Sequence, residues 1–267
     1  MAKVFFVPKQ SMKSLKKFLF DLQEISFLIW RAFVGLFKKP FYFSEFIKQM
    51  DLIGVGSLPI VLLTGFFTGG VLILQTYPTL AYYGGQSKAG QAVATSLVRE
   101  LGPVLAALMV SGRIGSAISA ELGSMVVSQQ IDAMRALGTD PIRKLVAPRI
   151  FALIFMLPLL TVAADIFGII GGSIIASGLF NQETNVFITS VRTGITTEDL
   201  LGGVIKPLFF GLIIGSVSCY KGLSTTGGTV GVGRSTTNAV VLASIWVIIF
   251  DFFISKVLQT VLDIGHL

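Results

Sequence analysis

Arg99 and Glu100 stand side by side within Gln91 to Ile118, a run otherwise apolar enough to cross a bilayer, and Pro103 follows the arginine by four positions. A charge placed at that depth costs roughly 2.5–3.5 kcal/mol on insertion scales, so each side chain needs water, a counter-charge or a cargo. Neighbours on a helix point about 100° apart, so the two cannot simply neutralise each other. Pro103 lacks the N–H that would bond the carbonyl four residues back, which is that of Arg99. A cation, an anion and an unpaired carbonyl are thus gathered at one level of the span. Irregular polar backbone is tolerated at membrane depth where it lines a wet or protein-enclosed cavity. Two readings follow: a cavity that handles a cargo, or a structural ion pair with another helix, for which Asp165, Asp251 and Lys206 are the candidates.

The elements that must position these residues are set by composition. With 53% hydrophobic and 13% charged residues and 22 Phe, the chain is far from the soluble average of about 25% charged, and it reads as an all-α polytopic membrane protein. A spanning helix needs about 20 apolar residues. Five such runs fit, at about 53–77, 91–118, 150–180, 200–220 and 239–262. They leave no room for a sizeable soluble catalytic domain, so the chain is expected not to be an enzyme. Gly65 and Gly69 give the first span a small-xxx-small face suited to close helix contact. Pro78 with Gly84-Gly85 is expected to turn the chain after it, and the polar connection 181–199 to hold a short helix.

Residues 1–52 form a basic region containing a stretch from Phe18 to Phe37 in which Lys17, Asp21, Glu24, Arg31 and Lys38 recur on one helical face. Such a helix, with Trp30 and many Phe, is better laid along the membrane surface than threaded through it. Nine of the 21 Lys/Arg fall in the first 48 residues, so the net charge of +7 reflects anionic headgroups rather than nucleic acid. Lys and Arg concentrate in alternate connections, which places the N-terminus in the cytoplasm and the C-terminus outside. One cysteine, Cys219, and one histidine, His266, exclude an internal disulfide and argue against a zinc site. Gly228 to Ser235, GTVGVGRS, approaches a phosphate-loop pattern, but Arg234 replaces the lysine and no buried strand precedes it, so a loop or helix cap is expected there.

The run LVRELGPVLAALMVSGRIGSAISAELG, the later LGTDPIRKLVAPR, LPLLT at Leu157 to Thr161, the GIIGG run at Gly168 to Gly172 and GVGRSTTNAVV at Gly231 to Val241 closely resemble the MlaE/YrbE-type permeases, membrane subunits of ABC systems that move lipids between membranes. Ser235 and Asn238 depart from the alanine and arginine of that pattern. The resemblance implies a homodimer in the inner membrane, with separate ATPase subunits below that carry ATP and Mg, a ring of MCE-domain subunits above, and no cofactor on this chain. It places a phospholipid in a cavity at the dimer interface, with Arg99 and Glu100 at the headgroup and Leu72, Leu80 and Tyr83 along the acyl path. It also implies a coupling helix at about 121–138 that docks on the ATPase through Glu121, Gln129, Asp132 and Arg135, with Met125, Met134 and Leu137 as apolar contacts. A rival from another class is an ion-coupled transporter or channel using Arg99, Glu100, Asp165 and Asp251 as a relay, and a third is a scaffold that anchors soluble partners.

Overall fold

The computed structural model describes residues 14–36 and 42–264, and among these no strand occurs. Lys38 and His266 lie outside the described residues, as does the basic segment before residue 14. Helix α1, Ser14–Leu36, precedes α2, Phe43–Tyr82. The next span is continuous but irregular: a short 3₁₀ turn at Gln86–Lys88, α3 at Ala89–Ser96, a π-turn at Leu97–Leu101, α4 at Gly102–Val110, a second π-turn at Ser111–Gly115, and α5 at Ser116–Val127. There follow α6, Gln130–Ala136, a π-turn at Ile142–Val146 leading into α7, Ala147–Phe180, then α8, Thr184–Gly194, α9, Thr197–Leu223, and α10, Gly228–Ile264. Five of these helical stretches are long and apolar enough to cross a membrane, in agreement with the expected number.

Close backbone approach organises the bundle. A side chain at Gly65 would overlap the Ala164 carbonyl, one at Gly69 the Gly168 carbonyl, and one at Gly171 the Phe66 carbonyl. Helices α2 and α7 therefore meet along a reciprocal glycine seam, the contact mode open to membrane helices where lipid supplies no hydrophobic drive. The large core cluster lies between α2, α4, α5, α7 and α9 around Ile114, Ile150, Leu153 and Phe210. A smaller one, around Ile73, Val93, Leu97 and the fully buried Phe187, ties α8 to the span ends. At that end the Gln91 amide donates to Ser190 Oγ (2.9 Å) and Gln182 Nε2 to the Gln86 carbonyl (3.1 Å). Exposed apolar side chains such as Leu63, Phe67, Phe252 and Phe253 line the outer faces of α2 and α10.

Several expected boundaries are corrected. The first span begins at Phe43 and passes through Pro78 to Tyr82; of the residues expected to turn the chain, Gly84, at φ +71°, does so and Pro78 does not. Pro59, Pro158 and Pro207 are likewise inside helices, as membrane helices tolerate. Between the fourth and fifth spans only Ser224 to Gly227 lie outside helix, and the GTVGVGRS run, expected as a loop or helix cap, forms the first turns of α10. The single coupling helix expected at 121–138 is two pieces: α5 runs on to Val127, Gln129 takes a left-handed conformation (φ 58°), and only α6 stands apart. Asp21 and Arg31 of the polar stripe on α1 face the protein. Asp21 accepts from Tyr220 Oη (2.7 Å) and Lys221 Nζ (3.3 Å), and Arg31 donates to Asp140 (3.2 Å). Leu19, Phe27 and Trp30 are the exposed side. The stripe pins α1 to the ends of α9 and of the α6–α7 connection.

Candidate functional site

The anomaly at Arg99 is completed by Lys206. Its position in α9, one residue before Pro207, leaves the side chain only 2% exposed and aimed at the π-turn of the second span. Its Nζ donates to the free Arg99 carbonyl (2.6 Å) and to Glu100 Oε2 (2.6 Å), and stands 3.3 Å from Asp251 Oδ1 on α10. An ammonium has three donors and no acceptor, so a carbonyl and two carboxylates match it. The carbonyl orphaned by Pro103 thus has a charged donor from a neighbouring helix.

Arg99 is held separately. Its Nε pairs with Asp199 Oδ1, while the other Asp199 oxygen accepts from the Thr196 amide (2.9 Å) and the Asp199 amide donates to Thr196 Oγ1 (3.3 Å). This capping box at the start of α9 both fixes the helix end and orients the arginine. Ser255 Oγ lies 3.3 Å from Glu100 Oε2 and donates to the Asp251 carbonyl (2.7 Å). Arg99, Glu100, Asp199, Lys206 and Ser255 line a cavity of about 260 Å³ together with Glu198 and Gln259. The Arg99 side chain is 55% exposed toward it. Among the described residues its terminal Nη groups make no hydrogen bond, so the end of the guanidinium is available to an oxyanion.

Both readings of the charged pair therefore meet in one place: a structural network through Lys206 and Asp251, and an open polar cavity beside it. Asp165 does not belong to it. That carboxylate is buried in α7 against Gly102, and Oδ1 lacks a hydrogen bond at the edge of a void of about 10 Å³ bordered by Thr64 and Thr68. Asp199, Ser255 and Gln259 escaped the sequence reading. The Thr196-x-x-Asp199 cap was a visible signal, and Ser255 follows Asp251 by one helical turn. Leu72 and Leu80 pack on the smaller apolar cluster, and Tyr83 is 78% exposed beyond α2; none of the three lines this cavity.

At the other end of the bundle Glu121 pairs with the buried Arg149 (2.6 Å), which also donates to the Leu145 carbonyl, and Met125 packs on the main core. Asp132 and Arg135 pair with each other on α6 (3.1 Å), Gln129 is exposed, Met134 is half-buried, and Leu137 is 83% exposed.

Five apolar spans, three of which line a charged, partly open cavity, make this an integral membrane protein with a polar site inside its bundle. The family profile for "Permease MlaE" matches residues 46–257, and the chain belongs to that family. It is 41% identical over 236 residues to a "Probable ABC transporter permease protein" of Rickettsia bellii, covering 88% of this chain and 91% of that one. It is 34% identical over 247 residues to the "Intermembrane phospholipid transport system permease protein MlaE" of Haemophilus influenzae, covering 92% and 95%. Similarity to the chloroplastic protein TRIGALACTOSYLDIACYLGLYCEROL 1 of Arabidopsis thaliana is 33% over 243 residues, covering 91% of this chain and 69% of that one.

Proposed function

We propose that this chain is the membrane subunit of an ABC transporter that moves phospholipid between the inner membrane and an outer-membrane or periplasmic carrier. It acts as a homodimer with separate ATPase subunits, which carry ATP and Mg, and with an MCE-domain substrate-binding ring. The N-terminus is cytoplasmic and the C-terminus periplasmic. The name of the Haemophilus relative supports phospholipid as the cargo, and the observation that carries the reading is the half-exposed Arg99 beside a cavity within the span. In this reading the Arg99 guanidinium takes the headgroup phosphate, Glu100 is held by Lys206, and the exposed face of α6 meets the ATPase. Lipid mass spectrometry on the purified complex tests it. Wild type retains phospholipid and Arg99→Ala loses it with assembly intact; an Arg99→Ala complex that keeps its lipid and its transport sinks the cavity as cargo site.

The Lys206 ammonium between Glu100 and Asp251 also suits a relay in an ion-coupled transporter. Lipid movement that persists without ATP and follows an ion gradient would select that reading.

A further inference from the structure

We infer that Arg113 is a second phosphate-binding point for a membrane phospholipid, in the half of the span nearer α1 and apart from the Arg99 cavity. The inference deepens the phospholipid reading proposed above and rests on it. Arg113 sits in the second π-turn of the span, Ser111–Gly115; such bulges occur frequently at functional sites. Fourteen residues separate it from Arg99, or roughly 21 Å at about 1.5 Å per residue, against a hydrocarbon core about 30 Å thick. Glu121 follows eight residues later, a further 12 Å or so along the axis, and is engaged by Arg149. Arg113 is thus an exposed cation within the second apolar span.

Its surroundings are built for a guanidinium and leave that group under-used. Nη1 donates to Ser57 Oγ on α2 (3.0 Å), and a side chain on Gly56 would lie 2.7 Å from Nη1 and 2.8 Å from Nη2. The missing Cβ at Gly56 is what admits the group. A guanidinium offers five N–H donors, yet among the described residues this one has a single side-chain hydrogen bond and no carboxylate partner. Nothing stands within 4 Å of a Cβ built on Gly112, so the space beside the arginine is open. Val55, Ile60 and Leu63, on the same helix as Gly56 and Ser57, are exposed (63%, 41% and 59%). An intramembrane cation that lacks a carboxylate calls for an anion that itself belongs to the membrane. A lipid phosphate matches the planar fork of donors, and the exposed aliphatic face matches its chains. With the N-terminus cytoplasmic, this point belongs to the inner leaflet, and Arg99 to the opposite half.

The test uses the assembled transporter in nanodiscs of phosphatidylethanolamine and phosphatidylglycerol, with Val55→Cys carrying a benzophenone label beside Arg113. After a detergent wash, photolysis cross-links retained phospholipid to position 55. Arg113→Gln lowers that yield about tenfold, as expected for a lost charge-assisted contact. Arg113→Lys, which keeps the charge without the planar fork, gives a yield between those of the parent and Arg113→Gln, and Arg99→Gln leaves the cross-link in place. An equal yield in Arg113→Gln overturns the inference, and so does a cross-link to the second permease chain in place of lipid. Lipid retention is counted in parallel by mass spectrometry. If it is untouched in both the Arg99 and Arg113 variants, the phospholipid reading itself fails; if only the Arg99 variant loses lipid, that reading stands and this inference alone falls.

Discussion

Lys206 and Asp132 are charged residues of one helical bundle, yet the Lys206 side chain is 2% exposed and meets two carboxylates and a carbonyl, whereas that of Asp132 is 72% exposed and meets only Arg135 one turn away. The charge at the Lys206 junction has its partners within the chain, because an unpaired ion at that depth is costly. Charge on α6 has almost none, and Leu137 beside it is 83% exposed. The difference separates a region whose chemistry is completed by its own fold from one that presents polar and apolar groups outward. It predicts that substitutions in the first region act on stability and cargo, and those in the second on assembly and coupling.

The largest effect is expected at Lys206. Lys206→Met leaves Glu100 and Asp251 without their shared cation, and breaking a buried pair in this way typically destabilises by about 3–5 kcal/mol. Thermal unfolding of the purified permease should fall accordingly. Adding Glu100→Gln and Asp251→Asn should restore most of the loss, because no uncompensated charge then remains. A triple variant as unstable as Lys206→Met would mean that packing, not charge, holds this junction.

Arg99→Gln comes next, and it sharpens the contrast within the network. Because the arginine is half-exposed and the buried Asp199 keeps its two capping bonds with Thr196, its removal should lower stability less than Lys206→Met does. Phospholipid transport should nevertheless fall at least about tenfold if the guanidinium takes the phosphate. Parallel unfolding and vesicle-transport assays separate the two; a stability loss as large as that of Lys206→Met would make Arg99 a structural residue.

The residues that could be read from the sequence are those whose anomaly is local. Arg99, Glu100 and Pro103 declare a problem within five positions of one span, and Lys206 and Asp251 stand out as charges in other spans. Which of the candidates answers the problem is a tertiary fact: Lys206 and Asp251 reach the π-turn, while Asp165 faces Gly102. Helix ends failed for a related reason. Pro78 and Gly228 are breakers in water, but α2 continues through the first and α10 starts at the second. The break between α5 and α6 lies at Gln129, a residue type that gives no hint of a left-handed conformation.

At α6 the expected effects on the isolated permease are smaller. Leu137→Ser removes an apolar side chain that is already in solvent, so unfolding should shift by no more than about 0.5 kcal/mol. Affinity for the ATPase subunit should drop about tenfold if this leucine fills a partner's groove. Titration of the ATPase onto the reconstituted permease measures it. Unaltered affinity would remove Leu137 from the docking face and weaken the contrast between the two ends.

The smallest change in stability, and the most informative exchange, concerns Asp132 and Arg135. An exposed pair one turn apart contributes about 0.3–0.5 kcal/mol, so Asp132→Arg, Arg135→Asp and the double exchange should all unfold within about 0.5 kcal/mol of the parent. The double exchange re-forms the ion pair with its signs reversed. If the pair served only the helix itself, that exchange would restore whatever either single reversal had lost. If a partner surface reads the two charges, the reversed pair presents each with the wrong sign and cannot substitute for the original. Lipid moved per ATP hydrolysed should therefore fall in Asp132→Arg and stay low in the double exchange. Recovery in the double exchange would return α6 to an ordinary solvated helix, and the boundary between the two regions would have to be drawn elsewhere.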